Sequence, residues 1–300
     1  MKGFGALAGF DPFAGPDGSA GSRRYLILDV FSSRPLEGNQ LAVFTDASGM
    51  ETAEMQSLAR EMKLSETVFL LPPGQGGDAK ARIFTPAAEL PFAGHPVLGS
   101  AMVLAGAMEE DRVVLETGSG NVDVSFDARG RRTASGWMSQ PLPSWSEFEA
   151  SQALLEALGI EASGLTIEVY CNGPSHVYVE LSSRDAVAGL APDLGALGRL
   201  GTIGVSCFAG DGGRYKSRMF APGLGVAEDP ATGSAAGPLA VHLARHGRVG
   251  FGEEIEIKQG AEILRPSLLR ARATGSAERL ERVEVGGSAV IVAAGRFWPD

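Results

Sequence analysis

Cysteine is almost missing from this chain. Two residues in 300, Cys171 and Cys207, can build neither a disulfide framework nor a cysteine-rich metal site. Histidine is nearly as scarce, at four; the four read as scattered, with no H-E-x-x-H signature, and no metal site is expected. Runs of positive charge are absent too. Lys and Arg number 26 against 36 Asp and Glu, for a formal charge of -10, and basic residues cluster only in short groups such as Arg23-Arg24 and Arg131-Arg132. Such a surface does not track phosphates, so nucleic acid is not an expected partner. No apolar run approaches the roughly 18 to 20 residues of a membrane span, so no membrane partner is expected and the cytoplasm is the expected compartment. Residues 1–24 are rich in Gly and Ala, but Asp11 and Pro12 interrupt any signal-peptide core. They read as a disordered leader.

Apolar bulk is what the chain does have. With 44% hydrophobic and 21% charged residues it can bury real cores, and its length allows one large domain or two of ordinary size. Residues 25–31 (YLILDVF) and 41–44 read as a strand pair, punctuated by Pro35 and Gly38-Asn39. Met55, Leu58, Ala59 and Met62 recur at the spacing of one helix face, and a strand follows over 67–71. Strands are expected over 81–85, 112–116, 122–126 and 135–139, with a helix around Val97, Leu98, Ala101 and Met102 before the last three. QPLPSW (140–145) reads as a linker, because proline cannot continue a ladder. Beyond it come a helix over 151–158 stopped by Gly159, a mostly helical stretch over 185–200, and a strand-rich tail. The expected organisation is α+β: a leader over residues 1–24, a first half from residue 25 and a second half beyond residue 143.

The chain also resembles itself. IFTPAAELPFAGHPVLGSA and MFAPGLGVAEDPATGSA share F-x-P, a loop and Gly-Ser-Ala, at Gly99 and at Gly233. Two related halves would each aim a loop and a helix N-terminus into a common cleft, where free N–H groups and the helix dipole could hold a small carboxylate. In this comparison His95 and Asp229 fill corresponding loop slots, each directly before a proline. They become acid-base or substrate-orienting candidates, although a loop histidine is often structural and Asp229 could simply cap its helix. Glu66, in KLSETVFLL, stands at the mouth of an apolar strand. Desolvation there would favour the neutral acid and suit it to moving a proton, although a glutamate at a strand edge is usually just solvated, and the residues alone favour that reading. Cys171 has no basic neighbour in sequence and reads as a small packing residue.

LSET around Glu66, FTPxxELPFAGHP around His95 and VAEDPATGSAAGPLAVHLARHG around Asp229 resemble the PhzF family of phenazine-biosynthesis isomerases, of the diaminopimelate-epimerase-like fold. DVFSSRPLEGNQLAVF, NGPSHVYV, CFAG, SRMFAPGLGV and QGAEILRPSL extend the likeness from about Tyr25 to the C-terminus. The resemblance implies two pseudo-symmetric halves, each a mostly antiparallel sheet wrapped around a central helix: residues 25–143 plus 287–300, completed by a last strand over 288–297 that returns to it, and residues 144–286. It also implies a homodimer. It implies a cofactor-free isomerase of trans-2,3-dihydro-3-hydroxyanthranilate, a small cyclic amino acid, in which one glutamate moves a proton from C3 to C1. Catalysis then falls to Glu66, His95 and Asp229, and substrate binding to Ser65, Gly94, Gly233 and Ser234. Epimerases of this fold use two thiols, at places where this chain has Ala93 and Thr232, so two-base racemisation is disfavoured. An isomerase of another amino- or hydroxy-carbocyclic acid, and a non-catalytic small-acid binder, are the alternative readings.

Overall fold

The computed structural model describes residues 22–130 and 132–298. Of the expected leader, residues 1–21 lie outside the described residues. Arg23 and Arg24 do not belong to a leader: they open β1 (Arg23–Val30), where Phe297 and Arg296 pair with them. The chain divides into a first unit that ends at Met138 and resumes at Gly287, and a second that runs from Ser139 to Gly286.

In the first unit β1 is followed by β2 (Asn39–Phe44), α1 (Thr52–Met62), β3 (Glu66–Leu71), β4 (Ala79–Phe84), β5 (Glu89–Leu90), α2 (Gly94–Met108), β6 (Arg112–Thr117), β7 (Gly120–Arg129) and β8 (Thr133–Gln140). The end of β17 (Leu280–Phe297) returns to pair with β1. Helix α2, GHPVLGSAMVLAGAM, carries no charged side chain. A helix that is apolar all round has to be enclosed. Every residue from Gly94 to Ala105 is buried, against β1, β2, β3, β4, β6 and β7. Helix α1 shows the opposite case: only its Met55, Leu58 and Ala59 face is buried, in a cluster with Phe44, Phe69 and Phe84.

The second unit holds β9 (Ser144–Glu147), α3 (Ser151–Leu158), β10 (Glu168–Cys171), β11 (Ser175–Glu180), α4 (Arg184–Ala188) and α5 (Leu194–Arg199). It continues through β12 (Gly204–Asp211), β13 (Arg214–Ala221), β14 (Val226–Asp229), α6 (Gly233–Arg245), β15 (Ile255–Gln259) and β16 (Ser267–Gly275) to the start of β17. Half of the expected linker is strand: Gln140 ends β8 and Ser144 and Trp145 open β9, and residues 141–143, with both prolines, lie outside the ladders. The helical stretch expected over 185–200 is two short helices, α4 ended at Gly189 and α5 begun where Asp193 accepts from the Ala196 N–H.

The two units pair their strands in the same order. In the first, β1/β2 is antiparallel, β2/β3 parallel, β3/β4 antiparallel, β4/β6 parallel and β6/β7 antiparallel. In the second, β10/β11, β11/β12, β12/β13, β13/β15 and β15/β16 repeat that series. Thr67 faces Phe84 as Val205 faces Phe220, and Ile83 faces Leu90 as Met219 faces Asp229. This register corrects the sequence repeat. Glu89, Pro91 and Gly94 correspond to Glu228, Pro230 and Gly233, so His95 matches Ser234 and Asp229 matches Leu90. The Gly-Ser-Ala match at Gly99 is coincidental, because the two loops differ in length: Phe84 to Glu89 is five residues and Phe220 to Glu228 eight.

The corrected repeat includes an ion pair. Arg82 Nη2 meets Glu89 Oε2 at 2.6 Å, and Arg218 Nη2 meets Glu228 Oε2 at 2.7 Å. Each guanidinium also lies over the phenylalanine two residues on, Phe84 at 5.2 Å and Phe220 at 4.9 Å. The side chains of the second pair are each 10% exposed, those of the first 19% and 39%. Removing one partner of a buried pair strands the other charge, whereas an exposed pair contributes little. Glu228→Ala is therefore expected to cost about 3 kcal/mol in urea unfolding. Glu89→Ala should cost less than about 1 kcal/mol, and equal losses would show that burial does not set the strength of these pairs.

Candidate active site

In the first unit the polar groups gather where α2 begins. Helix α1 closes on Lys63 in the left-handed conformation, φ 53°, and the chain passes through half-buried Ser65 into β3, whose first residue is Glu66. In register, Glu66 lies opposite Leu41. His95, the second residue of α2, is 6% exposed at its side chain, and its Nε2 lies 3.3 Å from Glu66 Oε2. Asn39 Nδ2 is 3.3 Å from the other ring nitrogen, Nδ1. Burial pushes the His95 pKa down to about 3, against an upward pull from the Gln40 backbone. The imidazole is thus neutral at physiological pH, so Glu66 does not face an imidazolium. Pro96 is tolerated in this first turn because no intrahelical partner awaits its missing N–H. Gly99, by contrast, serves packing: a Cβ there would stand 2.6 Å from Leu41 Cδ2 and 2.9 Å from Val30 Cγ2.

In the second unit a denser network holds the head of α6. Asp229 does not cap the helix as expected. It ends β14, and Thr232 is the N-cap residue. Thr232 Oγ1 donates to Asp229 Oδ2 at 2.6 Å, while Gln259 Nε2 donates to the Asp229 carbonyl at 2.8 Å and to Thr232 Oγ1 at 3.0 Å. Ser234 is held through its carbonyl. Pro238, four residues on, has no N–H to give it, and Asn172 Nδ2 donates instead at 3.0 Å. Gln140 Nε2 donates to the Gly233 carbonyl at 2.8 Å. The N-cap side chains of α2 and α6, Ala93 and Thr232, make no capping bond to their helices. Gly94, Gly233 and Ser234 thus lie at helix starts whose N-cap side chains leave the first-turn N–H groups uncapped.

Gln140, Asn172, His176 and Gln259 escaped the sequence reading, although NGPSHVYV and QGAEILRPSL contain three of them. Their partners lie 27 to 93 residues away. The expectation that the histidines are scattered also fails: His242 and His246 stand four apart on α6, and with Glu168 they bring three ligand-type atoms within 4.8 Å. The same Glu168 Oε2 already accepts from Arg245 Nη1 at 2.8 Å and from the Tyr170 hydroxyl at 2.9 Å, with the guanidinium 4.3 Å from the Trp145 ring centroid. A cation would have to displace that guanidinium, so these residues fit a buried ion-pair hub better than a metal. Against its burial, donors from His242, Arg245, His246 and Tyr170 hold the Glu168 pKa well below the usual carboxylate range. Cys171 is exposed in β10 and is no packing residue, while burial pushes the Cys207 thiol up to about 12.

An α+β chain of two like-built units, with a carboxyl and a neutral imidazole at the head of one buried helix and no thiol at either helix head, is of the epimerase-like isomerase class. The chain belongs to the phenazine biosynthesis-like (PhzC-PhzF) family, which matches residues 28–295. It is 52% identical over 271 residues to the trans-2,3-dihydro-3-hydroxyanthranilate isomerase of Pseudomonas fluorescens, covering 90% of this chain and 98% of that relative. Among solved structures it is similar to a predicted epimerase from Pseudomonas aeruginosa, with TM-score 0.78 and 34% identity over 93% of this chain and 100% of the other. It shares its fold with a Bacillus anthracis phenazine biosynthesis protein of the PhzF family, with TM-score 0.80 and 24% identity over 92% and 99% of the two chains.

Two buried imidazoles set an acid limit. His95 and His176 are pushed down by burial to about 3 and about 4. Because both folded values lie below the unfolded value of about 6.5, only the unfolded chain takes up these protons as pH falls. Their contribution is complete above pH 6.5 and is lost towards pH 4 and below, at about 1.4 kcal/mol per pH unit for each ring. Urea unfolding at pH 5 should therefore show about 2 kcal/mol less stability per ring than at pH 7. The ring C2 protons of both should keep their neutral NMR shifts down to pH 5; a midpoint near 6.5 for either ring contradicts its burial.

Proposed function

We propose that the chain isomerises trans-2,3-dihydro-3-hydroxyanthranilate in phenazine biosynthesis, without a cofactor, and that Glu66 carries the proton. The observation that bears most on this is the half-buried Glu66 carboxyl 3.3 Å from an imidazole that stays neutral. A carboxylate beside an imidazolium would be a weaker base. A neutral ring places no positive charge beside it. As the C3–H bond breaks, the proton passes to Glu66 and the two ring double bonds each move one place. The same carboxyl then returns the proton to C1 on the same face, so the reaction consumes nothing. The resulting enol tautomerises to an aminoketone.

In this reading His95 and Asp229 orient the ring through hydrogen bonds to its polar substituents. Gly94, Gly233 and Ser234 bind its carboxylate, and Ser65 contacts it beside the base. Homodimerisation and a cytoplasmic location belong to the same proposal, the first resting on the family likeness. Purified protein should consume the dihydrohydroxyanthranilate in the absence of added cofactor, and in heavy water deuterium should reach C1. Glu66→Gln should lower turnover by about 10² to 10⁴ while leaving affinity for 3-hydroxyanthranilate, the aromatic analogue, nearly unchanged. Unaltered turnover in that variant removes Glu66 from the mechanism, and no consumption by the parent protein removes this substrate.

A further inference from the structure

The function proposed above leaves one buried polar side chain unemployed. His176, in β11, is 3% exposed, and its Nε2 stands 3.0 Å from the Ser234 hydroxyl. Its Nδ1 has no hydrogen-bond partner among the described residues. What packs there is the backbone of Gly204, so close that a Cβ on residue 204 would come within 2.5 Å of Nδ1.

This asymmetry decides where the ring's proton sits. On Nδ1 it would point at the Gly204 methylene and leave a buried N–H without an acceptor, at the full desolvation cost of that group. On Nε2 it is donated to Ser234 Oγ, and only a lone pair faces Gly204. Buried acceptors without partners are better tolerated than buried N–H groups. With the pKa down at about 4 the ring carries one proton at neutral pH. The Ser234 oxygen therefore accepts from His176, and its own hydrogen is left to be donated elsewhere. The backbone of the same residue is tied to Asn172 at 3.0 Å.

The internal repeat makes the arrangement specific to this unit. Leu41 lies opposite Glu66 in β2/β3, as His176 lies opposite Gly204 in β11/β12. The second residue of each central helix thus has a polar partner, but from different strands: His95 has Glu66 and Ser234 has His176. Where the first unit puts its carboxyl the second has no side chain at all. The room is taken by a neutral ring that donates a hydrogen bond.

We propose that His176 is a positioning residue that fixes Ser234 as a hydrogen-bond donor to the carboxylate of the bound ring. The inference rests on the functional reading above, and its test separates the two. The probes are 3-hydroxyanthranilate and 2-aminophenol, the same ring without the carboxylate, titrated calorimetrically into the full chain. His176→Leu installs the residue found at the matching place in the first unit. It should weaken 3-hydroxyanthranilate about tenfold and leave 2-aminophenol within about twofold, in line with a lost hydrogen bond to a charged group. Ser234→Ala should do the same, and the double variant should lose no more than either single one, because the histidine acts through the serine. His176→Gln, which keeps an N–H donor, should recover part of the loss and also serves if the leucine variant does not fold. With dihydrohydroxyanthranilate, KM should rise while kcat stays within about threefold.

Equal weakening of both probes, additive losses in the double variant, or no discrimination by the parent protein would each overturn the assignment. If the parent protein discriminates the probes in this way but never turns over the dihydrohydroxyanthranilate, the substrate reading fails and the His176 assignment stands.

Discussion

The molecule is organised by the need to bury the start of an apolar helix without orphaning its polar groups. From Gly94 to Ala105 and from Gly233 to Ala244 every residue is buried. A helix start surrounded in this way must draw its hydrogen-bond partners from neighbouring strands and loops, since water is scarce there. In the first unit Asn39 is such a partner and Glu66 stands 3.3 Å from the His95 ring; in the second the partners are Gln140, Asn172, His176 and Gln259. The polar residues that satisfy the helix heads are therefore also those available for chemistry. Structural demand and functional opportunity coincide at the same few positions.

The two units answer that demand on one scaffold with different side chains. Glu66 is matched by Gly204, His95 by Ser234, Leu41 by His176 and Leu90 by Asp229, as their strand registers and helix starts dictate. One head thus carries a carboxyl against a neutral imidazole, and the other a hydroxyl against a neutral imidazole. What persists unchanged is the frame: the Arg–Glu pair, the phenylalanine under each guanidinium, the proline and the glycine that starts the helix.

Local pattern was legible in the sequence wherever one residue's neighbours along the chain decided the outcome. The 3.6-residue period of α1, the uncharged α2, the glycine that stops α3 and the strand that opens at Glu66 all belong to this kind. Glu66, His95 and Asp229 were singled out by long family motifs; spacing alone left a loop histidine and a strand-mouth glutamate with bland alternatives. What could not be read was partnership at a distance. Nothing in NGPSH announces that its asparagine replaces an N–H missing at Pro238, or that its histidine needs Gly204 to be a glycine. The repeat itself was visible but slipped in register, because a three-residue difference in loop length was absorbed by a chance Gly-Ser-Ala match. Strand pairing resolved it, since Phe84 and Phe220 must face the corresponding residues of β3 and β12.

The residues at the two N-caps limit the chemistry from the other side. Inversion at a carbon needs a base on one face and an acid on the opposite face, each able to hold a proton. Ala93 has no such group, and the Thr232 hydroxyl is committed to Asp229 at 2.6 Å. Neither thiol substitutes for them: Cys207 is buried and held protonated, and Cys171 lies on the exposed end of β10. A chemistry that returns the proton to the face it left needs one group that is first base and then acid. A carboxyl meets that requirement because both of its states are stable when its neighbour's charge does not change, and a ring whose pKa lies near 3 supplies such a neighbour. The burial that closes the helix head thereby also keeps His95 from competing for the proton that Glu66 would carry.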